Sequence, residues 1–71
     1  MPVKIRHLKA SLRKAGAFQV SQRGSHTKWK HPLVSPTLIL SGHDSDDARP
    51  YQEKAVQDFL QQIAAARGRS N

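Results

Sequence analysis

The sequence contains no cysteine, few aromatic residues and no long apolar run. Without cysteine the chain has neither a disulfide nor a thiolate ligand for a metal, so packing alone must hold its core together. No segment approaches the roughly 18 apolar residues of a membrane span, and the N-terminus lacks the apolar stretch of a signal peptide. We therefore expect a cytoplasmic protein that does not contact a membrane.

Acidic residues are missing from the first half of the chain, where most of the basic residues lie. All five acidic residues lie from Asp44 onward, while twelve Lys and Arg give a formal net charge of +7. Such a balance favours a polyanionic partner, either a nucleic acid or an acidic protein. A simpler alternative is that the lysines only keep a small protein solvated.

Two helices are predicted from apolar residues that recur at steps of three and four. The first covers residues 3–15, and Gly16 can end it in the left-handed conformation. The second starts within residues 46–50, because Pro50 is tolerated only in the first turn of a helix. The apolar stripe of this second helix is predicted to lie in the core and comprises Tyr51, Ala55, Val56, Phe59, Leu60 and Ile63.

Three short strands are predicted between the helices, over residues 18–23, 26–31 and 37–41. Alternating side chains indicate the first two strands, and Gly24 and Ser25 form the turn between them. Pro32 lacks an N–H group and ends the second strand or marks a sheet edge. The order predicts one α+β domain, residues 1–71, in which both helices cover one face of an antiparallel sheet. Residues 67–71 are expected to fray.

The alternation of side chains along the second strand predicts a basic sheet face that no helix covers. If Thr27 and Trp29 point toward the helices, the next side chains point the other way. The side chains expected on the open face are those of His26, Lys28 and Lys30, joined by Gln19, Ser21 or Arg23 of the first strand. Cations in this arrangement can hold RNA, which is bound largely through its phosphates, sugars and shape.

His26 adds a group that can transfer protons near neutral pH. An imidazole can take the proton of a ribose 2′-OH or protonate a leaving 5′-oxygen, which cleaves RNA to a 2′,3′-cyclic phosphate without a metal. Lys28 or Arg23 would stabilise the charge that develops on the phosphate. Two other interpretations stay open: a double-stranded-RNA-binding module without activity, and a protein interaction module that docks an acidic partner.

The segment "LRKAGAFQVSQRGSHTKWKHP" resembles the HicA family of bacterial toxin ribonucleases. Members have a helix that ends in Ala-Gly, a strand, and a Gly-Ser-His on the second strand, here Gly24, Ser25 and His26. The resemblance implies a double-stranded-RNA-binding-domain-like fold and a metal-independent mRNA interferase that needs no cofactor. It assigns catalysis to His26, gives Gly24 the turn that presents this histidine, and implies a HicB-type antitoxin that obstructs the active site. The predicted RNA-binding residues are Arg23, Gly24, Ser25, Lys28 and Lys30.

Three further residues allow more than one interpretation. His43 follows the third strand and is either a second acid-base group or, as we favour, a polar loop residue. Trp29 either stacks on an unpaired base or, as the alternation favours, lies in the core with its indole N–H bonded. A zinc site formed by His26, His31 and His43 is disfavoured, because their spacing fits no common zinc motif.

Overall fold

The computed structural model describes residues 3–68. Along the chain the elements are α1 (Ile5–Lys14), β1 (Phe18–Arg23), β2 (His26–His31), β3 (Val34–Leu40) and α2 (Pro50–Gly68). The strands form one antiparallel sheet in the order β1-β2-β3. The predicted α+β fold is therefore confirmed. Of the tail that was expected to fray, residues 67 and 68 continue α2, and residues 69–71 lie outside the described part of the chain.

The core lies between the two helices and one face of the sheet. Leu12 of α1, Trp29 of β2 and Ile63 of α2 belong to one cluster of buried side chains. Trp29 is fully buried; its indole N–H donates to Thr27 Oγ1 at 2.9 Å, and the Thr27 hydroxyl donates to the Leu40 carbonyl at 3.1 Å. The side-chain polar atoms of Trp29 and Thr27 therefore both have partners, as a buried network requires. The core position predicted for Trp29 is confirmed, and its ring is not available to a base.

The end of α1 is tied to the rest of the fold through one carbonyl. Ala15 O lies 3.1 Å from His31 Nε2 and also accepts a hydrogen bond from the guanidinium of Arg67. Since the Leu33 N–H donates to His31 Nδ1 at 3.0 Å, the proton of this imidazole lies on Nε2 and is donated to Ala15. Gly16 turns the chain here with φ +93°, where a Cβ would lie 3.2 Å from His31 Nε2. This position therefore requires glycine.

The third strand starts earlier than predicted. β3 begins at Val34 instead of residue 37 and ends at Leu40, so that Pro36 lies inside it. In the described sheet β3 is an edge strand, and its register against β2 shifts between Trp29 and His31. A proline, which has no N–H to donate, is tolerated at such a position.

Tyr51 was predicted to lie in the core, and this is wrong: its side chain is 66% exposed. The next residue, Gln52, is buried in the first turn of α2 instead. Its amide oxygen accepts from the Arg49 backbone N–H at 2.8 Å, and its amide nitrogen donates to Ser41 O at 2.7 Å. Gln52 thus caps the helix and ties it to the chain that leaves β3. Helical periodicity predicted that Tyr51 is buried here, whereas the structure buries the amide of Gln52, which caps the helix.

Candidate functional site

The turn between β1 and β2 presents His26 at the start of β2. Arg23 pairs with His26 across the two-residue turn formed by Gly24 and Ser25. Gly24 has φ +55°, and no non-glycine residue in the described chain has a positive φ. A two-residue turn that needs a positive φ only at its first position is typical of a type II′ hairpin. Gly24 therefore shapes the turn, and apart from its two chain neighbours no described residue has an atom within 4 Å of where a Gly24 Cβ would be.

The predicted side chains of β2 lie on the open face. His26, Lys28 and Lys30 are exposed, while the alternate residues Thr27 and Trp29 are buried. An open depression of about 440 Å³ surrounds the histidine. Its lining residues include Ser21, Arg23, His26, Lys28 and Ile39. The structure thus brings Arg23, His26 and Lys28 together, and it places Lys30 on the same face outside the depression.

A bulge in β1 decides which of its side chains join this face. The register shifts between Gln19, which pairs with Trp29, and Ser21, which pairs with Lys28. Directly paired residues share a face, so Ser21 and Arg23 lie on the open face as expected. The expectation that Gln19 could join them is wrong, because the bulge reverses the alternation and leaves Gln19 on the helix side.

Two apolar residues of the open face were missed from the sequence. Ile39 pairs with Lys28 and is 51% exposed, and Phe18 pairs with Lys30 and is 48% exposed. Strict alternation in β3 would have revealed Ile39, since the residues on either side of it point into the core. The position of Phe18 depends on the bulge, for which the sequence contains no clear signal.

Two of the predicted RNA-binding residues, Gly24 and Ser25, line a different surface. They border a polar groove of about 340 Å³ on the helix side of the turn, together with Arg13 and His43. His43 does not line the depression around His26, and its backbone N–H donates to Asp46 Oδ2 at 2.9 Å. The geometry favours the interpretation of His43 as a loop residue over that of a second acid-base group for the same phosphate.

The acidic loop before α2 neutralises part of α1. Lys4 Nζ lies 2.7 Å from Asp47 Oδ1, and Lys9 Nζ lies 2.7 Å from Asp44 Oδ1. The hydrogen bond and the charge of Lys9 lower the pKa of the Asp44 carboxyl below its ordinary value. In the described part of the chain, no ion pair involves the cations of the open face, Arg23, Lys28 and Lys30. Positive charge without an internal ion pair therefore lies on the sheet face, while the acidic loop neutralises part of the charge at α1.

The histidines do not converge on a metal site. Within residues 3–68, no three His, Cys, Asp or Glu side chains lie close enough together to hold a metal ion. Both ring nitrogens of His31 are already engaged by backbone groups. Neither helix, as far as it is described, is long and apolar enough to cross a membrane.

The fold and the site define a class: a small α+β protein whose uncovered sheet face carries unpaired cations and one exposed histidine. Residues 5–64 match the family described as HicA toxin of bacterial toxin-antitoxin. Because this match covers most of the chain, the protein belongs to the HicA toxin family, and the resemblance found in the sequence is confirmed. It is the toxin of a toxin–antitoxin system, which implies a cognate antitoxin as its partner.

Comparisons with curated proteins and with solved structures found no match. The likeness to double-stranded-RNA-binding domains therefore stays a prediction.

Proposed function

We propose that this toxin is an endoribonuclease that cleaves mRNA, with His26 as its general acid or base. The observation that carries the proposal is the exposure of His26 in a depression that it shares with the cations Arg23 and Lys28. Cations hold and neutralise the phosphate, and the imidazole moves protons beside it. RNA supplies its own nucleophile, the 2′-OH, so this route requires no metal.

In the proposed reaction, His26 accepts the proton of the ribose 2′-OH while the 2′-oxygen attacks phosphorus. The bond from phosphorus to the 5′-oxygen breaks, and the leaving oxygen takes a proton from the imidazolium or from water. One product ends in a 2′,3′-cyclic phosphate and the other in a 5′-OH. Arg23 and Lys28 stabilise the extra negative charge on the phosphate oxygens as the five-coordinate phosphorus forms.

Replacing a single ribose by 2′-deoxyribose at a mapped cleavage position should abolish cleavage there, because the nucleophile is removed. Purified protein is incubated with the all-ribose and the substituted oligonucleotides, with and without EDTA, and the product ends are identified by mass spectrometry. We expect a cyclic phosphate on the all-ribose product and no effect of EDTA. Cleavage at the deoxy position, or a 3′-OH product end, would contradict the mechanism.

The double alanine variant of Lys28 and Lys30 should bind RNA more weakly and with a smaller salt dependence. Each lost phosphate contact lowers the slope of log K against log salt by about 0.7 for a single strand, so the slope should fall by roughly 1.4. Affinity is measured by fluorescence anisotropy at several salt concentrations. Arg49→Ala with Lys54→Ala removes the same charge from the α2 side and is the matched control. An unchanged slope in the Lys28 and Lys30 variant would place the RNA elsewhere.

The alternative of a non-catalytic double-stranded-RNA-binding module receives less support from the charges. The acidic loop before α2 pairs with Lys9 of α1 and with Lys4 just before α1, so two of the five basic residues within residues 4–14 are neutralised. A module that bridges two grooves of an A-form duplex needs cations on more than one element. Duplex binding without any cleavage by the wild-type protein would favour this alternative.

We also propose that the cognate antitoxin is of the HicB type and covers the open face. Within residues 3–68, Arg23, Lys28 and Lys30 of that face make no ion pair. An acidic antitoxin surface would complement these cations and would exclude RNA from His26 at the same time.

A further inference from the structure

The open face carries an aromatic ring beside its cations. Phe18 is 48% exposed, and because it pairs with Lys30, both side chains leave the sheet on the open face. Its neighbour Ala17 is 5% exposed and takes the inward position. The large side chain is thus outside and the small one inside, which is the reverse of what burial of apolar surface alone would favour. The ring is therefore available to a ligand.

We propose that Phe18 is a stacking platform for an unpaired base of the RNA. The inference rests on the proposed function and adds a base-binding position to the same face. Every base has a π face, so an exposed ring can hold one base while neighbouring cations hold the phosphates. A base inside a duplex is paired and stacked on both sides, and its flat face cannot reach Phe18.

The ring is separated from the proposed catalytic group by the row of cations on β2. Lys30, the partner of Phe18, is four residues from His26, which corresponds to about 14 Å along a strand. The stacked base therefore belongs to a nucleotide further along the RNA strand and not to either nucleotide that flanks the scissile phosphate. Lys28 lies between His26 and Lys30, and Lys30 lies beside the ring, so both lysines can hold phosphates between the cut and the stacked base.

A protein surface could also contact an exposed ring, but the neighbours of Phe18 favour RNA. A protein that covers the ring would have to pair both neighbouring lysines with carboxylates at the centre of its interface, a place where lysine is typically depleted. Here Lys28 and Lys30 lie in the middle of the face, and neither has an ion pair within the described chain. An RNA strand whose base stacks on Phe18 can pair its phosphates with both lysines.

Binding is tested in a His26→Ala background, in which the RNA stays intact. We expect tighter binding of a single-stranded oligonucleotide than of a duplex with the same sequence. Adding Phe18→Ala should weaken single-strand binding about 5- to 150-fold without changing the salt slope, since no phosphate contact is lost. Phe18→Tyr should retain the affinity. Leu33→Ala is the matched control, because Leu33 is 47% exposed but lines a cleft beside α2.

The stacked base can be located by removing the bases of the oligonucleotide one at a time. At one position, the abasic RNA should bind as weakly as the intact RNA binds the Phe18→Ala protein. Combining both changes should cost little more than either alone, because both remove the same contact. At the other positions, the loss of affinity from removing the base and the loss from Phe18→Ala should add.

Equal affinity of the parent and the Phe18→Ala protein for single-stranded RNA would overturn the inference, and so would tighter binding of the duplex. If wild-type protein still cleaves RNA in that case, the stacking role is wrong and the proposed function stands. Wild-type protein that neither binds nor cleaves RNA overturns both. Weaker antitoxin binding with unchanged RNA affinity assigns the ring to the protein interface and also overturns the inference.

Discussion

Replacing His26 by alanine is expected to reduce RNA cleavage by about 10²- to 10⁴-fold, the usual contribution of a positioned acid or base. The side chain is exposed, so its loss leaves no cavity in the core. Binding should persist, because Arg23 and Lys28 still hold the phosphate. The measurement is the single-turnover cleavage rate, together with growth of bacteria in which each form is induced.

The matched control for the loss of a histidine is His43→Ala. This histidine lies in the helix-side groove and does not line the depression around His26, so its loss should change the rate only slightly. His26→Gln adds a second comparison, because glutamine keeps a hydrogen-bonding group but cannot transfer a proton at neutral pH. A folded His26→Ala protein that cleaves at the wild-type rate would contradict the role of His26 and leave the proposed reaction without its proton carrier.

Trp29→Ala should have the largest effect on stability. Truncating a buried Trp typically costs about 3–5 kcal/mol through lost burial and the cavity left behind. Trp29 has an exposed fraction of 0%, its indole N–H is bonded to Thr27, and the guanidinium of Arg13 lies 5.1 Å from the centre of its ring. Because small domains are stable by only about 5–15 kcal/mol, much of the population should unfold under mild conditions.

Urea unfolding followed by circular dichroism measures this effect. Tyr51→Ala is the matched control, since that aromatic side chain is 66% exposed, and its loss should change the free energy of unfolding by less than about 0.5 kcal/mol. Trp29→Phe should fall between the two, because it keeps most of the apolar volume and loses one buried hydrogen bond. Equal urea midpoints for Trp29→Ala and Tyr51→Ala would show that the fold does not depend on this side chain.

Local periodicity determined most of the fold and the centre of the candidate site. The steps of three and four in the helices depend only on which side chains face the same direction, and so does the alternation along β2. Alternation alone therefore places His26, Lys28 and Lys30 on one face, without any tertiary contact. The buried position of Trp29 followed from the same alternation.

Tertiary contacts decided the features that depend on residues far apart in the chain. The bulge in β1 exists only relative to β2, and it moved Phe18 to the open face and Gln19 away from it. Pairing with β2 likewise extended β3 to Val34 through a proline.

Three further outcomes have the same cause. Gln52 is buried in place of Tyr51, and its amide donates a hydrogen bond to the Ser41 carbonyl. Asp44 of the loop before α2 forms an ion pair with Lys9 of α1. His43 lines a groove that His26 does not line. Periodicity reports the direction of a side chain relative to its own element. Register, capping and ion pairing depend on what another element places opposite it, which the order of residues along one element does not contain.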